Sequence, residues 1–139
     1  MKISDSLFEN MMLGTSDPDT AVGSGYLFTA GVNSALTIED STIQNLETNI
    51  FDITSSKLQV SSTVIQELRP FASQHSVLNV VQSTIQLYNL TLDDIISEST
   101  PIFNVIESSG TMELSTFTNY YPNAIYIENS DVVITGSTL

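Results

Sequence analysis

The sequence predicts an all-β solenoid: a right-handed parallel β-helix of about six rungs of 20–35 residues, filling a single segment, 1–139. Three observations predict it. A spaced motif of apolar, small, apolar and apolar residues recurs along the chain. A short apolar strand followed by serine recurs between copies of that motif. Serine and threonine are abundant, while the Glu, Lys and Ala that favour helices are sparse.

The motif is clearest at residues 36–46. Leu36, Thr37 and Ile38 alternate with period two, as a strand with one buried face does. Asp40 and Ser41 interrupt the alternation, and Thr42, Ile43 and Gln44 read as a second short strand, with Leu46 the next apolar residue. Ile38, Ser41, Ile43 and Leu46 are matched at identical spacing by Ile3, Ser6, Phe8 and Met11, and by Val60, Thr63, Ile65 and Leu68. Leu87, Leu90, Leu92 and Ile95 match with a larger residue at the small position. Leu114, Phe117, Asn119 and Tyr120 read as a degraded copy, and Ile134, Ser137 and Leu139 open another. The residue before the small position is Asp5, Asp40, Asn89 or Gly136 in four rungs, and these types tolerate the left-handed backbone of a kink. Ser62 and Thr116 hold that place in the other two.

The second half of each rung repeats as Ile50, Phe51, Asp52 and Ile53, then 77–80, 102–105 and 124–127. Ser34, Ser56, Ser83 and Ser130 stand two residues before the next rung. Gly110 takes that place after a small insertion at Ser108 and Ser109. Longer insertions fall at one corner, at 13–25, 69–76, 96–101 and 121–123, and they hold all four prolines, the one His and the one Arg. The right-handed crossover preference of parallel strands sets the expected hand. A leucine-rich repeat would need an asparagine ladder inside its curve, where this chain places β-branched residues.

Composition limits function. The net charge of −13, with Lys2, Lys57 and Arg69 the only cations, argues against nucleic acid and against direct insertion into an anionic membrane surface. No Cys is present, so neither disulfides nor thiolate metal sites arise, and no cofactor is implied. Lys2 is followed by Ile3, Ser4 and Asp5 rather than by an apolar run, so no signal peptide is read. The first and last rungs match interior ones, and the chain therefore reads as a fragment of a longer solenoid.

Residues 123–139, Asn-Ala-Ile-Tyr-Ile-Glu-Asn-Ser-Asp-Val-Val-Ile-Thr-Gly-Ser-Thr-Leu, resemble a repeat of the pectin-lyase-like β-helix superfamily. They are similar in particular to large surface proteins with Gly-Gly-Ala-Ile and Phe-x-x-Asn repeats, such as chlamydial polymorphic outer-membrane proteins and giant extracellular β-helix proteins of ciliates. Asn123 stands where that family often has Gly, and Leu139 where it often has Phe. The resemblance implies a secreted or cell-surface protein with a structural or adhesive role.

The candidate chemistry is slight. Asp93 and Asp94 are the one adjacent carboxylate pair, of the kind that hydrolyses glycosides. Their equivalents are Glu9 and Asn10, Gln44 and Asn45, and Gln66 and Glu67, which makes the pair the acidic version of a solvated column. His75 has no partner set for catalysis or metal binding. Arg69, Phe71, His75, Tyr120 and Tyr121 lie at the insertion corner as candidate contacts for carbohydrate or a surface protein. The alternative for the aromatics is to cover the corner of the apolar lumen. Asn89, Leu90 and Thr91 form the one N-glycosylation sequon. The outward column Leu7, Thr42, Val64, Thr91, Thr118 and Thr138 suggests an ice-binding ladder, but its two breaks in six favour β-branched stacking and leave an ice-binding solenoid as the lowest-ranked reading. The sequence therefore predicts a non-enzymatic stalk, with neighbouring coils of the same or identical chains as its first partners. A carbohydrate-active β-helix is the alternative.

Overall fold

The computed structural model describes residues 1–9, 26–69, 76–96, 101–121 and 125–139. In chain order the first coil holds β1 (Lys2–Ser4), β2 (Leu7–Glu9) and β3 (Tyr26–Ala30). The second holds β4 (Ala35–Glu39), β5 (Thr42–Leu46) and β6 (Asn49–Thr54), and the third β7 (Lys57–Ser61), β8 (Val64–Leu68) and β9 (Leu78–Val81). The fourth holds β10 (Thr84–Tyr88), β11 (Thr91–Ile96) and β12 (Phe103–Ile106). The fifth holds β13 (Ser109–Glu113), β14 (Thr116–Tyr121) and β15 (Ile125–Glu128), and β16 (Asp131–Thr135) begins the next. Each strand pairs in parallel with its counterparts one coil away, giving a six-stranded first face and five-stranded second and third faces. The fold is thus the expected parallel β-solenoid. Six rungs are present on the first face alone, because the sixth coil adds only β16 and a bridge at Thr138.

Alternation decides what lies inside. Ile38, Val60, Leu87 and Met112 form one inward column, and Ile43, Ile65, Leu92 and Phe117 another. All are at most 2% exposed. The third face contributes Phe28, Phe51, Leu78 and Phe103. Phe28 and Phe51 stack with ring centroids 5.6 Å apart, while Phe8 meets Phe28 edge-on at 5.3 Å. Each aliphatic side chain so buried contributes about 1.5–3 kcal/mol, and the offset and edge-on ring contacts add to that.

The corners explain how so short a strand can turn. At the corner between first and second faces, Asp5, Asp40, Ser62, Asn89, Leu114 and Gly136 all have φ between 47° and 61°. At the corner between third and first faces, Asn33, Ser55, Gln82, Glu107 and Asn129 have φ between 48° and 60°. In nearly every case the next residue is Ser or Thr. Its hydroxyl donates to the carbonyl two residues back and accepts the backbone N–H of its counterpart one coil earlier. Ser83 N–H donates to Ser108 Oγ at 3.0 Å, and Ser108 Oγ donates to the Ile106 carbonyl at 2.8 Å. Ser56 to Ser83 and Ser108 to Ser130 repeat the pattern at 3.0 and 2.9 Å. The ladder at the other corner links Ser6 to Ser41, Leu90 to Ser115 and Ser115 to Ser137, and Leu90 is its one apolar member.

The structure corrects the register of the fifth rung. Met112, Ser115, Phe117 and Tyr120 align with Leu87, Leu90, Leu92 and Ile95, so the fifth copy has the same spacing as the others. Leu114 is not its first apolar residue. It is the left-handed corner residue, 54% exposed, in a conformation that costs a branched aliphatic side chain about 1–2 kcal/mol. Thr116, not Thr118, then belongs to the outward column of Thr42, Val64 and Thr91. Likewise Ser108, not Gly110, continues the serine ladder, and no insertion separates them. The coils are accordingly 35, 22, 27, 25 and 22 residues long, read between ladder partners.

Gly110 stands in an inward column with Leu58, Ile85 and Val132. At φ 152°, a Cβ there would lie 1.9 Å from the Ile85 carbonyl oxygen and 2.8 Å from its Cγ1. The backbone has moved into the space a side chain would fill. We expect Gly110→Ala to destabilise the fold by about 3 kcal/mol or more in urea denaturation. Gly31, whose added Cβ would meet nothing within 4 Å, is the control, and Gly31→Ala should change stability by less than about 1 kcal/mol.

Candidate functional site

The second face carries the chain's candidate chemistry, and a bend in each strand places it there. Asn45, Glu67, Asp94 and Asn119 have φ between 49° and 55° within β5, β8, β11 and β14. Like a bulge, this lets two successive side chains face out before the next residue turns inward. Asp93 and Asp94 are such a pair, equivalent to Gln44 and Asn45 and to Gln66 and Glu67. The solvated column expected from the sequence is the one observed.

These outward groups bond to one another from coil to coil. Gln66 Nε2 donates to Gln44 Oε1 at 3.0 Å, and Gln44 Nε2 donates to Glu9 Oε2 at 3.0 Å. Thr118 Oγ1 and Asn119 Nδ2 both donate to Asp93 Oδ1 at 2.8 Å. These two hydrogen bonds, Thr118 first, hold the Asp93 carboxyl below its ordinary range. Asp94 Oδ2 accepts from the Arg69 guanidinium at 2.7 Å, and Arg69 also donates to the Asp94 and Leu68 carbonyls at 2.8 and 2.9 Å. The third face has a parallel arrangement in which Asn104 donates to Asn79 and Asn79 to Asp52, each at 2.9 Å. Beside it, burial and then the Asp52 charge push the Tyr26 hydroxyl up to about 12, so it is neutral at physiological pH.

A glycoside-cleaving pair needs one carboxyl that keeps its proton near neutrality. The environment of Asp93 acts in the opposite direction, favouring the anion, and Asp94 is engaged by Arg69. Among the described residues no group of three His, Cys, Asp or Glu side chains could hold a metal ion, and no helix is long and apolar enough to cross a membrane.

At the insertion corner, Phe71 and His75 lie outside the described residues. Arg69 follows Leu68 as Ile96 follows Ile95 and Tyr121 follows Tyr120, so the three form one outward file. Tyr121 is 61% exposed beside Ile96 at 43%. Tyr120 instead continues the buried column of Leu46, Leu68 and Ile95 and is partly buried against the core. Sequence reasoning missed Ile96 by assigning it to the insertion; the doubled Ile95 and Ile96 were its signal. Asn89 is exposed at its left-handed corner, with its backbone N–H bonded to the Glu113 carbonyl at 3.0 Å.

Comparison with protein-family models, curated proteins and solved structures returns no match.

The Asp93 contacts are testable by titration. Because its folded pKa lies below the unfolded value, Asp93 contributes stability above the unfolded pKa that is lost as pH falls through the folded one. Thr118→Val should raise the Asp93 pKa toward the ordinary carboxylate value in a carboxyl-carbon NMR titration, and Thr118→Ser should leave it low.

Proposed function

We propose that residues 1–139 form a non-enzymatic structural or adhesive segment of a large secreted or cell-surface protein, a rigid stalk with recognition confined to the insertion corner. One observation carries this reading: the polar side chains on the outer faces bond chiefly to their counterparts on adjacent coils. Glu9, Gln44 and Gln66, then Asp93 with Thr118 and Asn119, and Asp52 with Asn79 and Asn104, are all committed in this way. Such ladders brace a rod and commit these groups to the protein rather than to a substrate. Among the described residues the lumen is filled by aliphatic and aromatic side chains.

Recognition falls to the file of Arg69, Ile96 and Tyr121. An exposed aromatic ring beside an aliphatic neighbour, flanked by a guanidinium, suits a carbohydrate ring or a protein loop. If the protein passes through a eukaryotic secretory pathway, Asn89 can carry a glycan that projects from the first corner without touching either ladder.

This reading has a direct biochemical check. Incubated with polyuronate and neutral polysaccharides, the protein should leave their chain length unchanged, and Asp93→Asn should behave as the parent. Depolymerisation that Asp93→Asn abolishes would establish the carbohydrate-active alternative instead.

A further inference from the structure

The corner between the first and second faces holds a side chain that the coil does not use. Asn89 is exposed there at φ 52°, its backbone N–H bonded to the Glu113 carbonyl. Gln44, Gln66, Asn79, Asn104 and Asn119 commit their amides to neighbouring coils. The Asn89 amide makes no hydrogen bond among the described residues. Asn89, Leu90 and Thr91 are also the chain's one N-glycosylation sequon. Leu90 turns into the core, so Asn89 is left facing water.

Two exposed apolar side chains border this amide. Tyr88, at the end of β10, is 50% exposed between its register partners Ser61 and Glu113. Leu114 follows Asn89 in the left-handed column and is 54% exposed. Coils lie on both sides of the pair: Ser62 N–H donates to the Tyr88 carbonyl and Leu114 N–H to the Thr135 carbonyl, each at 3.0 Å. Leu114 leans over Gly136, where a Cβ would lie 3.0 Å from its Cδ2, and still keeps half its surface in water. The rest of that column, Asp5, Asp40, Ser62 and Gly136, is polar or small and suits both water and the left-handed backbone. Leu114 suits neither. In a chain of net charge −13, Tyr88 and Asn89 stand where Glu39 and Asp40 stand two coils earlier, so the patch is apolar in a file that is elsewhere acidic.

We propose that Asn89 carries an N-linked glycan and that its first sugar packs against Tyr88 and Leu114. The donor, a lipid-diphosphate-linked oligosaccharide, is met in a secretory compartment, so the glycan presupposes the secreted protein proposed from the polar ladders. In the transfer, Asn89 Nδ2 bonds to the anomeric carbon as that carbon's bond to the diphosphate oxygen breaks. The lipid diphosphate leaves and one amide proton is released. Transfer precedes coil closure, because in the folded chain the Asn89 N–H is bonded to Glu113 and Thr91 is paired with Val64 and Thr116. A pyranose presents a face of C–H groups, which suits a phenol ring and a branched aliphatic side chain better than carboxylates. The sugar thus covers the apolar pair, and the first corner is closed to other partners, which leaves recognition to the insertion corner.

The test compares one polypeptide with and without the sugar. The full chain is secreted from a eukaryotic host behind a leader peptide and trimmed enzymatically to a single N-acetylglucosamine. The same chain is made in bacteria that lack the transferase. By mass, the secreted protein should carry one glycan and Asn89→Gln none. The trimmed glycoprotein should melt about 2–4 °C above the bare chain, with nuclear Overhauser contacts between the sugar and the Tyr88 ring. Tyr88→Ser combined with Leu114→Asp uses residue types the fold already holds at Ser61 and Asp40. That variant should keep the glycan and lose the gain in melting temperature. A secreted chain without a glycan, a glycan that leaves the melt unchanged, or a gain that survives the double substitution would each overturn the proposal. The polysaccharide assay reads none of these, so failure here is distinct from failure of the stalk reading.

Discussion

Everything in this structure depends on turning a strand within two residues without leaving a buried amide unpaired. A coil of 22 residues has room for three strands only if its corners are that tight. The solution is one residue in the left-handed region followed by one hydroxyl. The left-handed residue swings the chain, and the hydroxyl satisfies the amide that the turn would otherwise strand. That hydroxyl both donates to its own strand and accepts from the neighbouring coil, so it fixes local geometry and stacking together. The lumen then follows from the corners, since it is the corners that keep the inward columns in register.

The lumen supplies most of the stability and the corners supply the uniqueness. Columns of Ile, Leu and Val would tolerate exchange among themselves at small cost. A slip of one residue would carry the inward columns to water and place serine in the lumen. Ser83 and Ser108, both nearly buried, pin the register at the point where slip would otherwise begin. Where the pattern is irregular, backbone substitutes for side chain: the carbonyl of Ile85 occupies the space that a Cβ on Gly110 would need.

Much of this was legible in the sequence, because stacking makes sequence columns and spatial columns the same thing. Ile38, Ser41, Ile43 and Leu46 announce a rung, and Ser34, Ser56 and Ser83 announce its corner. The fifth rung was misread for two physical reasons. Gly110 has no side chain to mark an inward place, and Leu114 is apolar at an exposed corner where Asp or Asn would have been informative. The left-handed column at the other corner passed unseen because Ser55, Gln82 and Glu107 carry no conformational signature. β3 was missed because its inward residues include Ala30, too small to stand out. At the candidate site, the equivalence of Asp93 and Asp94 to polar neighbours was readable by alignment alone. The Arg69 ion pair was not, since it joins residues 25 apart whose contact exists only once coils are stacked.

The central claim is that the corner hydroxyls hold the coil, and Ser108→Ala tests it most directly. The substitution removes one oxygen atom and strands the Ser83 amide next to a nearly buried corner. Urea denaturation should show a loss of about 1–3 kcal/mol. Native-state hydrogen exchange should show the Ser83 amide exchanging faster while the amide of Ser6, at the opposite corner and on the first coil, keeps its rate. An unchanged midpoint with unchanged exchange at Ser83 would contradict the account.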